Sequence, residues 1–373
     1  MNIWIICHST YGGSGIVATN IALSLAKKWH KIHIISLDMP VKIDPWIYGI
    51  TFHQVRIHEY PLFDFPLYQS NLITTIVDVA IQHKLDIIHA HYAIPHASAA
   101  YMAQQILKER WFTLPYIVTL HGTDVSILWK DPSFHSIVEF ALNHANAITT
   151  VSQSLKQEAW ETFVIKKPIN VIYNFARKEE SKNNIYKRND LANDDERIII
   201  HISNFRPIKR IKDVIAIFHE IQKSIPSRLI MVGDGPDREW AENMCDQIGI
   251  SDKVSFTGFR ANPKELLQFA DLFLLPSEKE SFWLSVLEWF TCSVPAITSS
   301  VGWISEINIH GETWYLCKVG DIHSMVTYAI ALLSDQHKLN TFKNNAYQQS
   351  QQFNEWTIID QYEELYKTVI NTL

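Results

Sequence analysis

The sequence predicts two α/β domains, each a doubly wound parallel sheet covered by helices on both faces. Three observations lead there. At 373 residues the chain is longer than one hydrophobic core usually serves. Short, near-continuous apolar runs rich in β-branched residues alternate with longer helical patterns along the whole chain, as strands buried on both faces require. The alternation breaks once, at ARKEESKNNIYKRNDLANDDER, a polar stretch without hydrophobic period.

In the first half, residues 3–7, 32–37, 87–91, 116–120 and 147–151 read as strands, and 17–28, 72–83 and 98–110 as helices. In the second half, 198–202, 228–232, 253–256, 272–275 and 296–298 read as strands with helices between them. The expected organisation is a first domain over 1–174, a linker or surface loop over 175–197, and a second domain over 198–355. A final helical pattern, 356–373, is expected to pack back on the first domain. The two domains would face each other across a cleft, where open α/β sheets bind ligands.

Composition narrows the partners. A net charge of -6 argues against nucleic acid, whose phosphates call for a basic face. No apolar run approaches the roughly 18 residues of a membrane span. MNIWIICHST passes directly into a strand, without a basic leader segment. Cys7, Cys245, Cys292 and Cys317 lie far apart among apolar neighbours and form no CxxC pair, which fits reduced thiols and a cytoplasmic location.

Four motifs carry chemistry. Tyr11-Gly12-Gly13-Ser14-Gly15 follows the first strand and opens a helix, where bare backbone and free N–H groups suit an anion. Gly13, Gly15 and Ala18 also fit G-x-G-x-x-A, with Asp38 about 20 residues on, so a nicotinamide-dinucleotide site and a plain tight turn both stay open. Ser277-Glu278-Lys279-Glu280-Ser281-Phe282-Trp283-Leu284, followed by Glu288, places two carboxylates about a helix mouth after a strand. His201-Ile202-Ser203-Asn204-Phe205-Arg206-Pro207-Ile208-Lys209-Arg210 ends a strand with cations suited to a pyrophosphate, or with ordinary surface basicity. Gly233-Asp234-Gly235-Pro236 reads as a structural turn. His89 and His91 share a strand face, but no third ligand stands at useful spacing, so no metal is expected there. His121, in Leu120-His121-Gly122-Thr123-Asp124, sits just past a strand, where an active-site side chain belongs.

Together YGGSG, HAHYAIPHA, LHGTD, SNFRPIKR, VGDGP and SEKESFW with Glu288 resemble the GT-B glycosyltransferases of family 4 over nearly the whole chain. YGGSG, HAHYAIPHA and LHGTD are similar to the branch whose acceptor is L-malate and whose donor is UDP-GlcNAc, in bacillithiol biosynthesis. The resemblance implies a retaining transferase that needs no cofactor and no bound metal. Glu288 would hold the ribose hydroxyls and Glu280 the donor sugar. Backbone of Ser281, Phe282, Trp283 and Leu284 would meet the diphosphate, with Gly13, Ser14 and Gly15 bordering it. Arg206 and Lys209 would neutralise the leaving UDP, with Arg210 as the alternate cation. Gly258, Phe259 and Arg260 would hold uracil. His121 would lie beside the donor sugar, and Gly12, Gly13, Tyr92, His121, Asn174 and Arg206 would border the acceptor.

Other readings are a family 4 enzyme with a different small or lipid acceptor, an NAD-dependent dehydrogenase, and an inactive nucleotide-sugar-binding paralogue. The segment 98–110 carries cations only at its end, which favours a soluble acceptor over a lipid. A homo-oligomer is compatible with any of these.

Glycine and tryptophan each number 12, although glycine alone should supply about 7% of such a chain. Where the family pattern reads F-G-L this chain has Phe282-Trp283-Leu284, and for G-G-I-P-E it has Gly302-Trp303-Ile304-Ser305-Glu306. Trp4, Trp29, Trp129 and Trp314 also fall at glycine positions of that pattern, and Trp289 at a small residue. The expectation is one systematic cause, UGA codons that the source organism decodes as glycine.

Overall fold

The computed structural model describes residues 1–9, 13–40, 43–44, 46–57, 67–122, 131–175, 186–260, 262–280, 291–302 and 304–372. The chain divides into two compact units, Met1–Arg177 with Glu355–Leu373, and Lys178–Asn354.

In the first unit β1 (Asn2–Ile6), β2 (Lys31–Ser36), β3 (Ile50–Gln54), β4 (Ile87–His91), β5 (Tyr116–Leu120), β6 (Ala147–Thr150) and β7 (Ile169–Val171) form a parallel sheet in the order β3-β2-β1-β4-β5-β6-β7. The central strands bury Ile3, Ile5, Ile34, Ile88 and Ile117 completely, as coverage on both faces demands. The first helices are α1 (Gly13–Lys27), α2 (Tyr68–His83) and α3 (Ser98–Glu109). The C-terminal helix, Glu355–Asn371, belongs to this unit and buries Ile358, Ile359, Tyr362 and Tyr366. Lys28, just past α1, pairs with its Asp360 and, at 2.6 Å, with Glu363.

In the second unit β8 (Arg197–Ile202), β9 (Ser227–Val232), β10 (Val254–Gly258), β11 (Leu272–Leu275), β12 (Ala296–Ser299) and β13 (Tyr315–Cys317) run parallel in the order β10-β9-β8-β11-β12-β13. The helix Ile211–Ile221 shows why the sequence folds this way: Ile211, Val214, Ile215 and Phe218 recur at helical spacing and are fully buried. The described part of the polar stretch is not free of the unit. Arg188 reaches Asp271 at 3.8 Å, and Glu196 pairs with Arg228 at 3.0 Å.

The sequence reading misses β3, β7 and β13, all at or next to a sheet edge. β3 is partly exposed along its length, and β7 and β13 have three residues each, so none presents the apolar run that marks a strand buried on both faces. In each sheet the strand order reverses beside the first strand, between β1 and β4 and between β8 and β11. The C-terminal ends of those strand pairs are where a doubly wound sheet takes a ligand. Cys7, Cys245 and Cys317 are buried, and burial pushes the thiols of Cys7 and Cys317 up to about 12 and that of Cys245 to about 11, which leaves them protonated.

Two helix ends are unusual. After α1, Trp29 N–H donates to the Ala26 carbonyl at 3.0 Å and His30 N–H to that of Leu25 at 3.3 Å. After α3, Trp111 and Phe112 repeat the pair on Lys108 and Leu107 at 3.1 and 3.0 Å. This is the Schellman arrangement, whose turning residue takes left-handed backbone and is usually glycine. Trp29 has φ 66° and Trp111 φ 59°. Their indoles are 81% and 98% exposed, and Trp29 meets the exposed ring of Tyr48 edge-on at 6.3 Å. Left-handed backbone costs an ordinary side chain about 1–2 kcal/mol, and indoles so exposed recover little of it through packing. Trp29→Gly and Trp111→Gly should each raise stability by about 1 kcal/mol. Urea unfolding followed by circular dichroism checks this, and midpoints that stay put or fall would show the indoles to be favourable.

Candidate active site

The mouth of the second sheet is built by the turns after β8 and β11. His201, the next-to-last residue of β8, donates from Nδ1 to the Leu274 carbonyl at 2.8 Å. That leaves Nε2 to accept from Ser203 Oγ at 2.8 Å, and Ser203 Oγ accepts the Phe205 N–H at 3.3 Å. Burial pushes His201 down to about 4, so it is neutral at pH 7, as these bonds require. The turn is fixed from the other side by Gly233, at φ 128°, where a Cβ would lie 1.8 Å from the Ser203 carbonyl oxygen.

This turn delivers Lys209 to Glu280. Nζ donates to both carboxylate oxygens, at 2.7 and 2.8 Å, and the two side chains are 5% and 1% exposed. Gly302, at φ 54°, leaves room for the Glu280 backbone, since a Cβ there would stand 2.5 Å from the Glu280 carbonyl oxygen. Arg210 pairs with Asp213 at 2.7 Å and Glu278 at 2.8 Å. Arg206 is exposed and makes no ion pair among the described residues, so its charge faces outward. In the turns after β8 and β11 and at the end of β12, Asn204, Ser277, Thr298 and Ser299 carry buried side-chain oxygens with no hydrogen-bond partner among the described residues. Burying a polar atom without a partner is costly, so these oxygens mark a place where a polar ligand or water completes the site. Gly258 ends β10, with Phe259 and Arg260 exposed just beyond it. Ser281, Phe282, Trp283, Leu284 and Glu288 lie outside the described residues.

The mouth of the first sheet is lined by histidines. His91 ends β4, and its Nδ1 stands 2.8 Å from Nε2 of His121, just past β5. His96 Nδ1 donates to the His91 carbonyl, and the His8 ring packs 4.5 Å from that of His96 and 5.1 Å from that of Tyr92. Burial pushes His96 and His121 down to about 3, and lowers His91 and His8 as well, so the cluster is uncharged at pH 7. Among the described residues, His91 Nε2 is buried without a partner, as is Oδ1 of Asn174. Tyr92 holds φ 92°, rare for a side chain and strained, and donates its hydroxyl to Ser14 Oγ at 2.8 Å. Gly13 opens α1, and no described residue would lie within 4 Å of a Cβ there. Gly12 lies outside the described residues. His89 stacks 4.3 Å under His91, but its Nδ1 meets Tyr366 and its Nε2 Thr119, both at 2.7 Å. With both nitrogens engaged, His89 is a buried structural link.

Each sheet thus gathers its own share of the expected residues: Ser14, Tyr92 and His121 in the first, Lys209 and Glu280 in the second. The sequence reading did not assign roles to His8, His96, Asn204, Ser277, Thr298 or Gly302. The available signal was position, since His8, Asn204 and Ser277 each stand two residues past a strand end.

The Lys209–Glu280 pair gives a direct test. Lys209→Met should leave a buried carboxylate without its counter-charge and cost about 3–5 kcal/mol. Lys209→Met with Glu280→Leu should recover most of that loss. A double-mutant cycle by chemical unfolding measures the coupling, and simply additive losses would mean the two groups do not hold each other.

Comparison with known proteins accounts for both halves. Residues 11–179 match Glycosyltransferase Family 4 and residues 182–349 match Glycosyl transferases group 1. The N-acetyl-alpha-D-glucosaminyl L-malate synthase of Bacillus anthracis is 38% identical over 379 residues, which cover 99% of this chain and 97% of that protein. Among solved structures, Anabaena Alr3699/HepE in complex with UDP and glucose superposes with a TM-score of 0.79 at 19% identity, over 99% of this chain and 100% of that one. Sucrose-phosphate synthase from Thermosynechococcus elongatus gives 0.78 at 18% identity, over 100% of each chain. These two share the fold. A dinucleotide site at Gly13, Gly15, Ala18 and Asp38 would explain the first half alone, whereas one family explains both, and the chain belongs to the GT-B glycosyltransferases of family 4.

Proposed function

We propose that this enzyme transfers N-acetylglucosamine from UDP-GlcNAc to the hydroxyl of L-malate with retained α configuration, in the cytoplasm, as the first step of bacillithiol biosynthesis. The observation that carries this reading is the 38% identity, over nearly the full length of both chains, to a protein named for that activity. No described helix is long and apolar enough to cross a membrane, which fits two water-soluble substrates.

The donor belongs in the second unit's mouth. Glu280, oriented by Lys209, accepts from a sugar hydroxyl, and the oxygens of Asn204, Ser277, Thr298 and Ser299 offer further polar contacts. Glu288 takes the ribose hydroxyls, the backbone of 281–284 the diphosphate, and 258–260 the uracil. As the bond from the sugar's anomeric carbon to the UDP oxygen breaks, the malate hydroxyl oxygen bonds to that carbon on the same face. The hydroxyl proton passes to the departing phosphate. Negative charge grows on UDP in this step, and Arg206 meets it as the cation not already committed to a carboxylate; Lys209 and Arg210 contribute through their pairs. The acceptor belongs at the first unit's mouth, near Gly12, Gly13, Tyr92, His121 and Asn174. There neutral imidazoles exchange hydrogen bonds with hydroxyl and carboxylate groups, and strained Tyr92 is held in place by Ser14.

Purified protein should release UDP from UDP-GlcNAc when L-malate is present, and NMR should show an α-linked product. A β-linked product would overturn the mechanism, and turnover with another acceptor but none with malate would overturn the substrate. Arg206→Ala should lower kcat on the order of a hundredfold, with Arg206→Lys recovering part. Unchanged turnover in Arg206→Ala would place the phosphates elsewhere.

A further inference from the structure

Three imidazoles converge in the first unit, apart from the residues of its mouth. His33 stands on β2 and His53 on β3, two register positions apart and on one face of the sheet. His83 is the last residue of α2, whose backbone is tied to β1 by Asn2 Nδ2 donating to the carbonyls of His83 and Lys84, both at 3.2 Å. His33 Nδ1 lies 2.9 Å from His53 Nε2, and the His83 ring sits 4.6 Å from that of His33 and 5.5 Å from that of His53. One ring nitrogen from each falls within 4.8 Å of the others. A tetrahedral ion with metal–nitrogen bonds of about 2.0–2.1 Å holds its ligands about 3.3 Å apart, so small side-chain rotations would close the group on an ion. His33 is buried while His53 and His83 are half-buried, which leaves an entry path and room for a water as fourth ligand. The C-terminal end of α2 also presents the negative end of its dipole.

We propose that His33, His53 and His83 form a site for a divalent transition ion of the zinc class, which ties the edge strand β3 to β2 and α2. Three imidazole nitrogens select zinc, nickel, copper or cobalt over magnesium or calcium. The test uses the full chain stripped with chelator, titrated with Zn²⁺ against a chromogenic competitor, beside His53→Gln/His83→Gln. One ion per chain should bind the wild type at least tenfold tighter than the double variant, and Zn²⁺ should raise the melting temperature of the wild type alone. Cobalt should add visible absorption bands of a nitrogen-bound tetrahedral ion, which single His53→Gln removes. Equal binding by wild type and variant, or no cobalt spectrum in the wild type, overturns the site.

A second inference rests on backbone geometry alone. A third helix, Arg238–Gln247, ends in the same Schellman pair, Gly249 to Asp246 at 3.2 Å and Ile250 to Cys245 at 3.0 Å, with glycine at φ 70° as the turning residue. Trp29 and Trp111 occupy the equivalent place with equivalent backbone. Trp111 is not among the positions marked by the sequence pattern, so its geometry is an independent witness. We infer that in the cell that makes this protein glycine stands at positions 29 and 111, because UGA codons there are read as glycine. The gene should carry UGA at both, and mass spectrometry of protein from the source organism should show glycine in the peptides spanning 29 and 111. UGG codons at 29 and 111, or tryptophan in those native peptides, overturns the inference.

Discussion

An ammonium and a carboxylate held out of water organise the mouth of the second sheet. Lys209 and Glu280 are 71 residues apart in sequence and come from turns on either side of the point where strand order reverses. Opposite charges removed from water must stay together, since separating them would strand each in a poorly solvating interior. The pair therefore fixes the spacing between the two turns. The rest follows from that: a neutral His201 that shapes the first turn, a glycine at 302 that lets the second approach, and Arg206 left facing outward. Such a pair adds little net stability over apolar packing, and its return is a defined geometry.

The first mouth reaches polarity by a different route. Three buried imidazoles, His91, His96 and His121, lie close together, which would be untenable if they were charged, so burial and mutual repulsion keep them neutral. A neutral lining can donate and accept hydrogen bonds without attracting a counter-ion. One mouth thus holds a paired charge and the other a neutral, hydrogen-bonding lining. The proposed reading assigns the donor to the first kind of site and the acceptor to the second.

Much of this was legible in the sequence because parallel sheets write themselves plainly. Central strands such as Ile198–Ile202 must be apolar on both faces, and the residues after them must be polar. Lys209, Glu280 and His121 could be read as candidates from position and residue type, whereas Tyr92 followed only from the family resemblance. Other features leave no local trace. Nothing in His33, His53 and His83 links them until β2 and β3 pair in register, and Gly302 looks like any turn glycine until Glu280 lies against it. The edge strands escaped because an edge asks for less hydrophobicity. Trp111 escaped because a side chain's identity does not reveal the sign of φ.

The C-terminal helix has a consequence for how the protein is made. His89, at the centre of the first sheet, finds its Nδ1 partner in Tyr366, and Lys28 finds its acidic partners in the same helix. The first unit is thus made of two stretches of chain, and the second unit lies wholly between them in sequence. Domains generally form as they emerge, so here the first unit is completed only after the second has been made. Until then its sheet lacks the helix whose Ile359, Tyr362 and Tyr366 are buried in the folded unit, and the surface they meet stays open on the nascent chain.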